Sequence, residues 1–374
     1  MTVVPELRLV GDELEITRRP HGNPGPVAAA DVVELRADAT VLEATSALRG
    51  TAAGVAVVLG EDRRFLGTVT DFGIRMAVLG EVPAGAPVTN VISPRPVLAG
   101  ATTSDTEIAE LLRLHRLRAL PIVDEHGEVL GMRCLEPPAV LEVPPIAVIM
   151  AGGRGLRLRP VTDRVPKPLL RVGSTTIVER IIGGLAAAGV EHVYLAVNYM
   201  AEAFEQRLGD GSSLEVSLHY LHEDSALGTA GPLSLLDAQE SPIIVTNGDI
   251  VTTVDFARML DFHWRLGGAM TVAGARYSSH VPYGILDASA QHLLGIEEKP
   301  DRVELCNAGM YVLEPEVLRL LQAAAAANMP DLIADVLADG KSVNVFPIFE
   351  KWFDIGGPAE FERVLVQFAT GEET

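Results

Sequence analysis

Between Ile146 and Tyr277 short apolar runs alternate with stretches of helical spacing, and this alternation restricts the fold more than any other feature of the chain. "VPPIAVIM" reads as a buried strand of a parallel sheet, because the run is almost continuously apolar. "TTIVERIIGGLAAAGV" has helical apolar spacing. "HVYLAVNY" then reads as strand, "MAEAFEQRLGDG" as a helix stopped by glycine, "LEVSLHYLHE" and "PIIVTNGD" as strands, and "VDFARMLDFHWRLGG" as helix. Such an order is the signature of an α/β doubly wound sheet, whose ligands bind outside the carboxyl ends of the strands. Beyond Ser278 the pattern loosens into short strands with Pro or Gly turns, and "FEKWFDIGGPAEFERVLVQFA" closes with an amphipathic helix.

The first strand runs into "AGGRGLRLRPVTDRVPKPLL", residues 151 to 170. From 154 to 171 the chain carries Arg154, Arg157, Arg159, Arg164, Lys167 and Arg171 against the single acid Asp163, whereas the whole chain has a net charge of −20. A local positive site in a negative protein concentrates a small polyanion, a nucleotide or a sugar phosphate. The rest of the surface repels nucleic acid and anionic membranes. The glycines are not a P-loop, since no Lys-Ser or Lys-Thr follows them, and a dinucleotide fingerprint would need glycine where Leu158 stands. What remains is the turn Gly152-Gly153-Arg154-Gly155 after a strand. Its backbone N–H groups can form an anion nest, followed by Arg157 and Lys167. The plainer alternative is a tight turn with solvated arginines.

The first 145 residues are a different object. "ATVLEATSAL" followed by "GVAVVLGEDRRFLGTVTD" recurs, at an offset of roughly 62 to 64, as "ATTSDTEIAELL" followed by "RALPIVDEHGEVLGMRCL". Each copy reads as a helix and two strands, and the proline-rich "LEPPAVLEVPP" marks the boundary with the second half. The expected organisation is an extension over 1–26, a tandem α+β module over 27–140 and an α/β domain over 146–374. A chain of 374 residues with 48% hydrophobic content exceeds what one core usually organises. Cys134 and Cys306 lie far apart without CxxC spacing and read as small buried hydrophobes. The N-terminal residues lack the basic start and apolar core of a secretory signal, and no later run is long enough to span a bilayer, so the expectation is a cytoplasmic protein.

Six ordered elements, "AGGRGLRLRPVTDRVPKPLL", "LGTAGPL", "TNGD", "EEKP", "NAGMYVL" and "WFDIGG", resemble the sugar-1-phosphate nucleotidyltransferase family over about Ile146 to Phe368. The resemblance implies a Rossmann-like mixed sheet and a reaction that joins a nucleoside triphosphate to a sugar 1-phosphate with release of pyrophosphate. One departure is Leu156, where the family usually has threonine. By the same resemblance Asp249 and Asp354 hold a metal, Mg²⁺, which prefers carboxylate and phosphate oxygens. As an isolated residue, each aspartate would read as a helix cap or turn former. Arg157 and Lys167 match the residues holding the triphosphate, and Lys299 the lysine at the reacting phosphate. Gly152, Gly153, Gly155, Gly228 and Thr229 fall in the nucleotide-binding loops, and Gly284, Glu298 and Asn307 at the sugar.

By the same resemblance Glu223, five residues before "GTAG", falls near the base; the alternative is a side chain that points to solvent. A carboxylate accepts both adjacent donors of guanine, while uracil and thymine suit glutamine better. The expected nucleotide is therefore GTP, as in mannose-1-phosphate guanylyltransferase-like members, with UTP or dTTP as the alternative. The sugar is mannose, glucosamine or a heptose. A kinase is disfavoured by the missing P-loop. A non-catalytic sensor would be expected to have lost a metal aspartate or phosphate lysine, and none is lost.

The N-terminal repeat is similar to a tandem pair of cystathionine-β-synthase-type (CBS) domains. Such pairs bind adenine nucleotides, with Thr70 and Asp71 of "GTVTD" at the phosphate and ribose positions. The second copy has Cys134 and Leu135 there. The alternative is a structural dimerisation module, and the expected assembly is a homo-oligomer, a dimer or higher.

Overall fold

The computed structural model describes residues 27–49, 51, 53–93, 95–115, 117–135, 144–321 and 325–369, so the extension over 1–26 and most of the proline-rich boundary lie outside the described residues. The N-terminal module contains β1 (Val27–Ala30), β2 (Val33–Arg36), α1 (Val41–Leu48), β3 (Val55–Leu59), β4 (Phe65–Thr70), α2 (Asp71–Leu79), β5 (Ala99–Gly100), α3 (Asp105–Leu114), β6 (Ala119–Val123) and β7 (Val129–Leu135). The helix and both strands of the second copy start 64 residues after their counterparts: Val41 and Asp105, Val55 and Ala119, Phe65 and Val129. The caps repeat too. Thr40 Oγ1 accepts from the Glu43 N–H while Glu43 reaches back to the Thr40 N–H, and Ser104 with Glu107 does the same. Each such box contributes about 1 kcal/mol and fixes where its helix begins. The two copies form separate sheets, ordered β2-β3-β4 and β1-β7-β6-β5.

The second domain runs β8 (Ile146–Met150), β9 (Arg171–Val172), β10 (Thr175–Thr176), α4 (Ile177–Ala187), β11 (His192–Val197), α5 (Ala201–Leu208), β12 (Ser217–His222), β13 (Ile243–Asn247), β14 (Ile250–Thr252), α6 (Phe256–Leu266), β15 (Met270–His280), β16 (Ile285–Ser289), β17 (His292–Glu297), β18 (Asp301–Leu313), α7 (Met329–Ala338), β19 (Val343–Ile348), β20 (Trp352–Asp354) and α8 (Pro358–Ala369). Its main sheet has the order β12-β11-β8-β13-β18-β15-β19. The first four strands are parallel, and β18 runs antiparallel to both β13 and β15. Alternate residues of β8 feed the two faces of this sheet: Ala147 and Ile149 enter one core, Ile146 and Val148 the other.

The chain leaves β8 for β11 and β12 on one side, then returns to place β13 on the other. The crevice at the carboxyl end of β8 is therefore the switch point of the sheet, where doubly wound folds bind ligands. Beyond Ser278 the expected short strands are present as β16, β17, β19 and β20, but β18 is long. It pairs antiparallel with β15, and these strands of 13 and 11 residues have buried inner halves and outer halves that run out into solvent. That change of environment partway along each strand breaks the hydrophobic pattern that would have marked a long strand.

Candidate active site

The glycine turn sits at the switch point. Ala151 is buried and its N–H donates to the Ala196 carbonyl of β11 at 2.9 Å, which carries the sheet one residue into the loop. A Cβ on Gly152 would stand 2.3 Å from Glu223 Oε1. Gly155 has φ +59 and lies against Thr162 and the Lys167 side chain, so only glycine fits there without strain. Leu156, where the family has threonine, is exposed.

Glu223 follows β12. Its N–H donates to the Val197 carbonyl at 3.0 Å, its own carbonyl accepts from Asn198 Nδ2 at 2.7 Å, and its Oε2 accepts from the Leu227 N–H at 2.8 Å. Burial pushes its carboxyl above the ordinary glutamate range, and the Leu227 hydrogen bond partly opposes this. The carboxylate is thus held at one end, with Oε1 turned to Gly152.

On the other side of β8, Asn247, Gly248 and Asp249 continue β13 into a turn. The Gly248 N–H donates to the Met150 carbonyl at 2.9 Å, and a Cβ on Gly248 would crowd that oxygen at the same distance. This close approach places Asp249 beside the glycine turn, where its Oδ2 accepts from Lys167 Nζ at 2.5 Å. Lys167 is 7% exposed, so the charge is largely out of water and held by its partner. β20 pairs with β14 so that Asp354 faces Ile250, and the Ile355 N–H donates to the Asp249 carbonyl at 3.2 Å. Burial raises the Asp354 carboxyl, and the charge of Asp249 raises it further against the opposing pull of Lys167 and Arg157. Arg157 itself is exposed, and its Nη1 would be 3.3 Å from a Cβ on Gly356. The structure therefore brings Arg157, Lys167, Asp249 and Asp354 together, from three separate parts of the chain.

Other sequence-predicted residues form separate groups. Gly228, φ +81, packs its backbone against the Ala327 carbonyl, and Thr229 Oγ1 accepts from the Met329 N–H at 2.9 Å, tying this loop to the start of α7. Gly284 and Glu298 meet across the β16–β17 arm, where a Cβ on Gly284 would lie 2.8 Å from Glu298 Oε2. Lys299 follows with φ +46, an uncommon conformation for a residue with a side chain, and is exposed. Asn307 Oδ1 accepts from the Gly309 N–H at 2.9 Å. No hydrogen bond or ion pair among the described residues ties Glu298 or Lys299 to the Lys167–Asp249 pair. Thr70 Oγ1 caps α2 by accepting from the Gly73 N–H, and Asp71 pairs with Arg75 and Arg258, both in the module interface away from this crevice. Sequence reading missed Asn198, which fixes the Glu223 backbone, and Asn328 at the start of α7. The only local signal for the latter was an Asn two residues before a proline.

Two acids can hold a hard cation here if phosphate oxygens complete its shell, the arrangement Mg²⁺ favours. The closeness of Asp249 and Asp354, felt in the raised Asp354 carboxyl, fits such a site. Among the described residues no group of three or more His, Cys, Asp or Glu that could hold a metal is found, so the protein alone does not complete a cage. Among the described residues, too, no helix is long and apolar enough to cross a membrane.

Comparison with known proteins matches residues 146–370 to the nucleotidyl transferase family and residues 88–132, which span most of the second repeat copy, to the CBS domain. A mannose-1-phosphate guanyltransferase of Kluyveromyces lactis is 35% identical over 226 residues, covering 57% of this chain and 62% of its own length. A mannose-1-phosphate guanylyltransferase of Mycobacterium tuberculosis is 32% identical over 226 residues, covering 58% and 62%. The chain thus spans less than two thirds of the length of these relatives. The crystal structure of HddC from Yersinia pseudotuberculosis matches with a TM-score of 0.48 at 23% identity, over 60% of this chain and 99% of that one.

Proposed function

Because this chain belongs to the nucleotidyl transferase family and carries a CBS domain, we propose that it transfers GMP from GTP to a sugar 1-phosphate, giving a GDP-sugar and pyrophosphate. The observation that carries the reading is the convergence of Lys167, Asp249, Asp354 and Arg157 beside a glycine turn at the switch point of the sheet. The guanyltransferase relatives favour mannose 1-phosphate over glucosamine or heptose 1-phosphate as the acceptor.

The sugar phosphate is largely dianionic near neutral pH, so its oxygen attacks the α-phosphorus without a protein base. An O–P bond forms, the bond to the β-phosphate breaks, and its electron pair leaves on pyrophosphate. The protein's task is to bring two polyanions together and to neutralise charge on the leaving group. The N–H groups of Gly152, Gly153 and Gly155 cradle phosphate, and Arg157 and Lys167 supply positive charge. Lys299 reaches the reacting phosphate. Gly228 and Thr229 shape the nucleotide loop, Glu223 accepts from guanine, and Gly284, Glu298 and Asn307 contact the sugar. The family generally uses a divalent metal. Mg²⁺ held by Asp249 and Asp354 would polarise phosphate oxygens and offset their charge.

The N-terminal repeat over 27–140 acts as a tandem CBS pair that binds an adenine nucleotide near Thr70 and Asp71, and the protein works as a cytoplasmic homo-oligomer. Phosphorus NMR of the wild type with GTP, Mg²⁺ and mannose 1-phosphate tests the main reading. Equimolar GDP-sugar and pyrophosphate are expected, and hydrolysis of GTP to GDP and phosphate alone would overturn it.

A further inference from the structure

Among the described residues the largest fully buried side chain is Arg75, 1% exposed, on α2 of the N-terminal module. It follows Asp71 by four residues, so the two share one helix face. Nε and Nη2 donate to the two Asp71 oxygens at 2.7 and 3.1 Å. The other end of the guanidinium leaves its own domain. Nη2 donates to Glu350 Oε1 at 2.6 Å, Nη1 donates to the Pro347 carbonyl at 2.5 Å, and the Phe346 ring lies 3.9 Å beneath Cζ. Arg49, also of the N-terminal module, donates to the Phe349 carbonyl. These partners are the end of β19 and the turn into β20, the short strand that ends at Asp354.

From the catalytic side α6 reaches back. Arg258 donates to Asp71 Oδ1 at 3.0 Å and to the carbonyls of Leu48 and Thr51 at 2.7 and 2.9 Å. Asp71 is thus a carboxylate shared by an arginine from each domain. Within its own domain β20 is supported by its pairing with β14, by the Trp352 Nε1 bond to the Ala308 carbonyl at 2.9 Å, and by the Lys351 carbonyl, which accepts from Thr252 Oγ1 at 2.8 Å and from the Thr253 N–H at 3.0 Å. These supports reach back to Lys351, whereas Phe349 and Glu350 are gripped from the N-terminal module. If the interface served docking alone, apolar side chains would fill it as well or better, since burying a charge is costly. A planar fork with acceptors on two domains instead sets the orientation of what it grips.

We propose that Arg75 is a positioning residue for Asp354: the N-terminal module, through this guanidinium with Arg49 beside it, fixes the turn between β19 and β20 and so the carboxylate on the metal side of the site. The proposal rests on the nucleotidyl-transfer reading of Asp354. It makes the N-terminal module part of the catalytic architecture and gives anything that draws Asp71 away from its two arginines a route to the site.

The test uses the full chain with Arg75→Met, Arg75→Lys and Glu350→Gln, each checked for native circular dichroism. Three quantities are read: kcat against nucleotide KM, the Mn²⁺ concentration half-saturating the protein with a non-reacting GTP analogue, followed by electron paramagnetic resonance, and amide hydrogen exchange over residues 349–355. For Arg75→Met, kcat should fall and the Mn²⁺ midpoint rise, each by about tenfold, as for outer-shell partners of metal ligands, with nucleotide KM within about twofold. Exchange at 349–355 should accelerate while that of β8 stays unchanged. Arg75→Lys, which keeps the charge without the fork, should lie between.

A folded Arg75→Met with wild-type kcat, metal midpoint and exchange would overturn the proposal. Should that variant fail to fold, Glu350→Gln decides: a smaller shift of all three in the same direction supports it, and wild-type values overturn it. A wild type that releases no pyrophosphate from any substrate pair would refute the functional reading instead. The exchange comparison needs no turnover and judges the clamp by itself.

Discussion

Replacing Glu223 by glutamine keeps the shape of the side chain and changes only what it can accept. In the native protein Oε2 already accepts from the Leu227 N–H at 2.8 Å, and the backbone on both sides is fixed by Val197 and Asn198. A glutamine there has one oxygen and one NH₂. If the oxygen stays on Leu227, the NH₂ confronts the N1–H and amine of guanine. If the amide flips, the NH₂ confronts the Leu227 N–H instead. One donor–donor conflict is unavoidable. A hydrogen bond to a charged group contributes about 1.5–3 kcal/mol, and about 1.4 kcal/mol is a factor of ten. Glu223→Gln should therefore lower kcat/KM for GTP by about 10- to 100-fold. For UTP, whose base offers one donor between two acceptors, kcat/KM should hold or rise. Pyrophosphate release at a fixed sugar phosphate measures both. A GTP kcat/KM within about twofold of wild type would refute the reasoning and place Glu223 away from the base.

Lys299→Ala should cut turnover far more than it weakens nucleotide binding, since its charge matters most as the leaving group develops; near-normal kcat in steady-state kinetics would contradict that role. Gly248→Ala sets a Cβ 2.9 Å from the Met150 carbonyl, a backbone atom that cannot swing aside. It should destabilise the fold by about 1–3 kcal/mol, read as a lower melting temperature. The Asp354 carboxyl is raised first by burial and then by Asp249, so it takes up a proton at a higher pH than a free aspartate. Its ionised form, needed to hold a cation, is lost as pH falls through that raised value. In the metal-free protein the Asp354 carboxyl should accordingly titrate above the ordinary value of about 3.9, followed by carboxyl-carbon NMR, and titration at or below that value would contradict the closeness of Asp249 and Asp354.

The repeat and the α/β alternation were legible because each signal is local. Thr40 with Glu43 and Ser104 with Glu107 mark the same helix start twice, and the apolar run at Ile146–Met150 can only be an interior strand. The positions of the glycine turn and Asp249 at strand ends followed from the same alternation, and that of Glu223 near the base from the family resemblance. What joins them did not. The Lys167–Asp249 pair spans 82 residues, the Thr229–Met329 bond 100, and the Arg75–Glu350 pair 275. No window of sequence contains both partners. Arg75 in "DFGIRMAVL" reads as one solvated cation on an apolar helix, because its burial is created by a different domain. The long β15–β18 pairing was missed for a related reason: half of each strand lies outside the core, where nothing requires apolar residues to alternate.

Pyrophosphate release from the purified protein with Mg²⁺, testing GTP, UTP, dTTP, CTP and ATP each against hexose, hexosamine and heptose 1-phosphates, shows whether this crevice transfers a nucleotide and which one. Release selective for GTP and dependent on one sugar phosphate is the predicted result. Silence across every pair would contradict the claim that this crevice transfers a nucleotide.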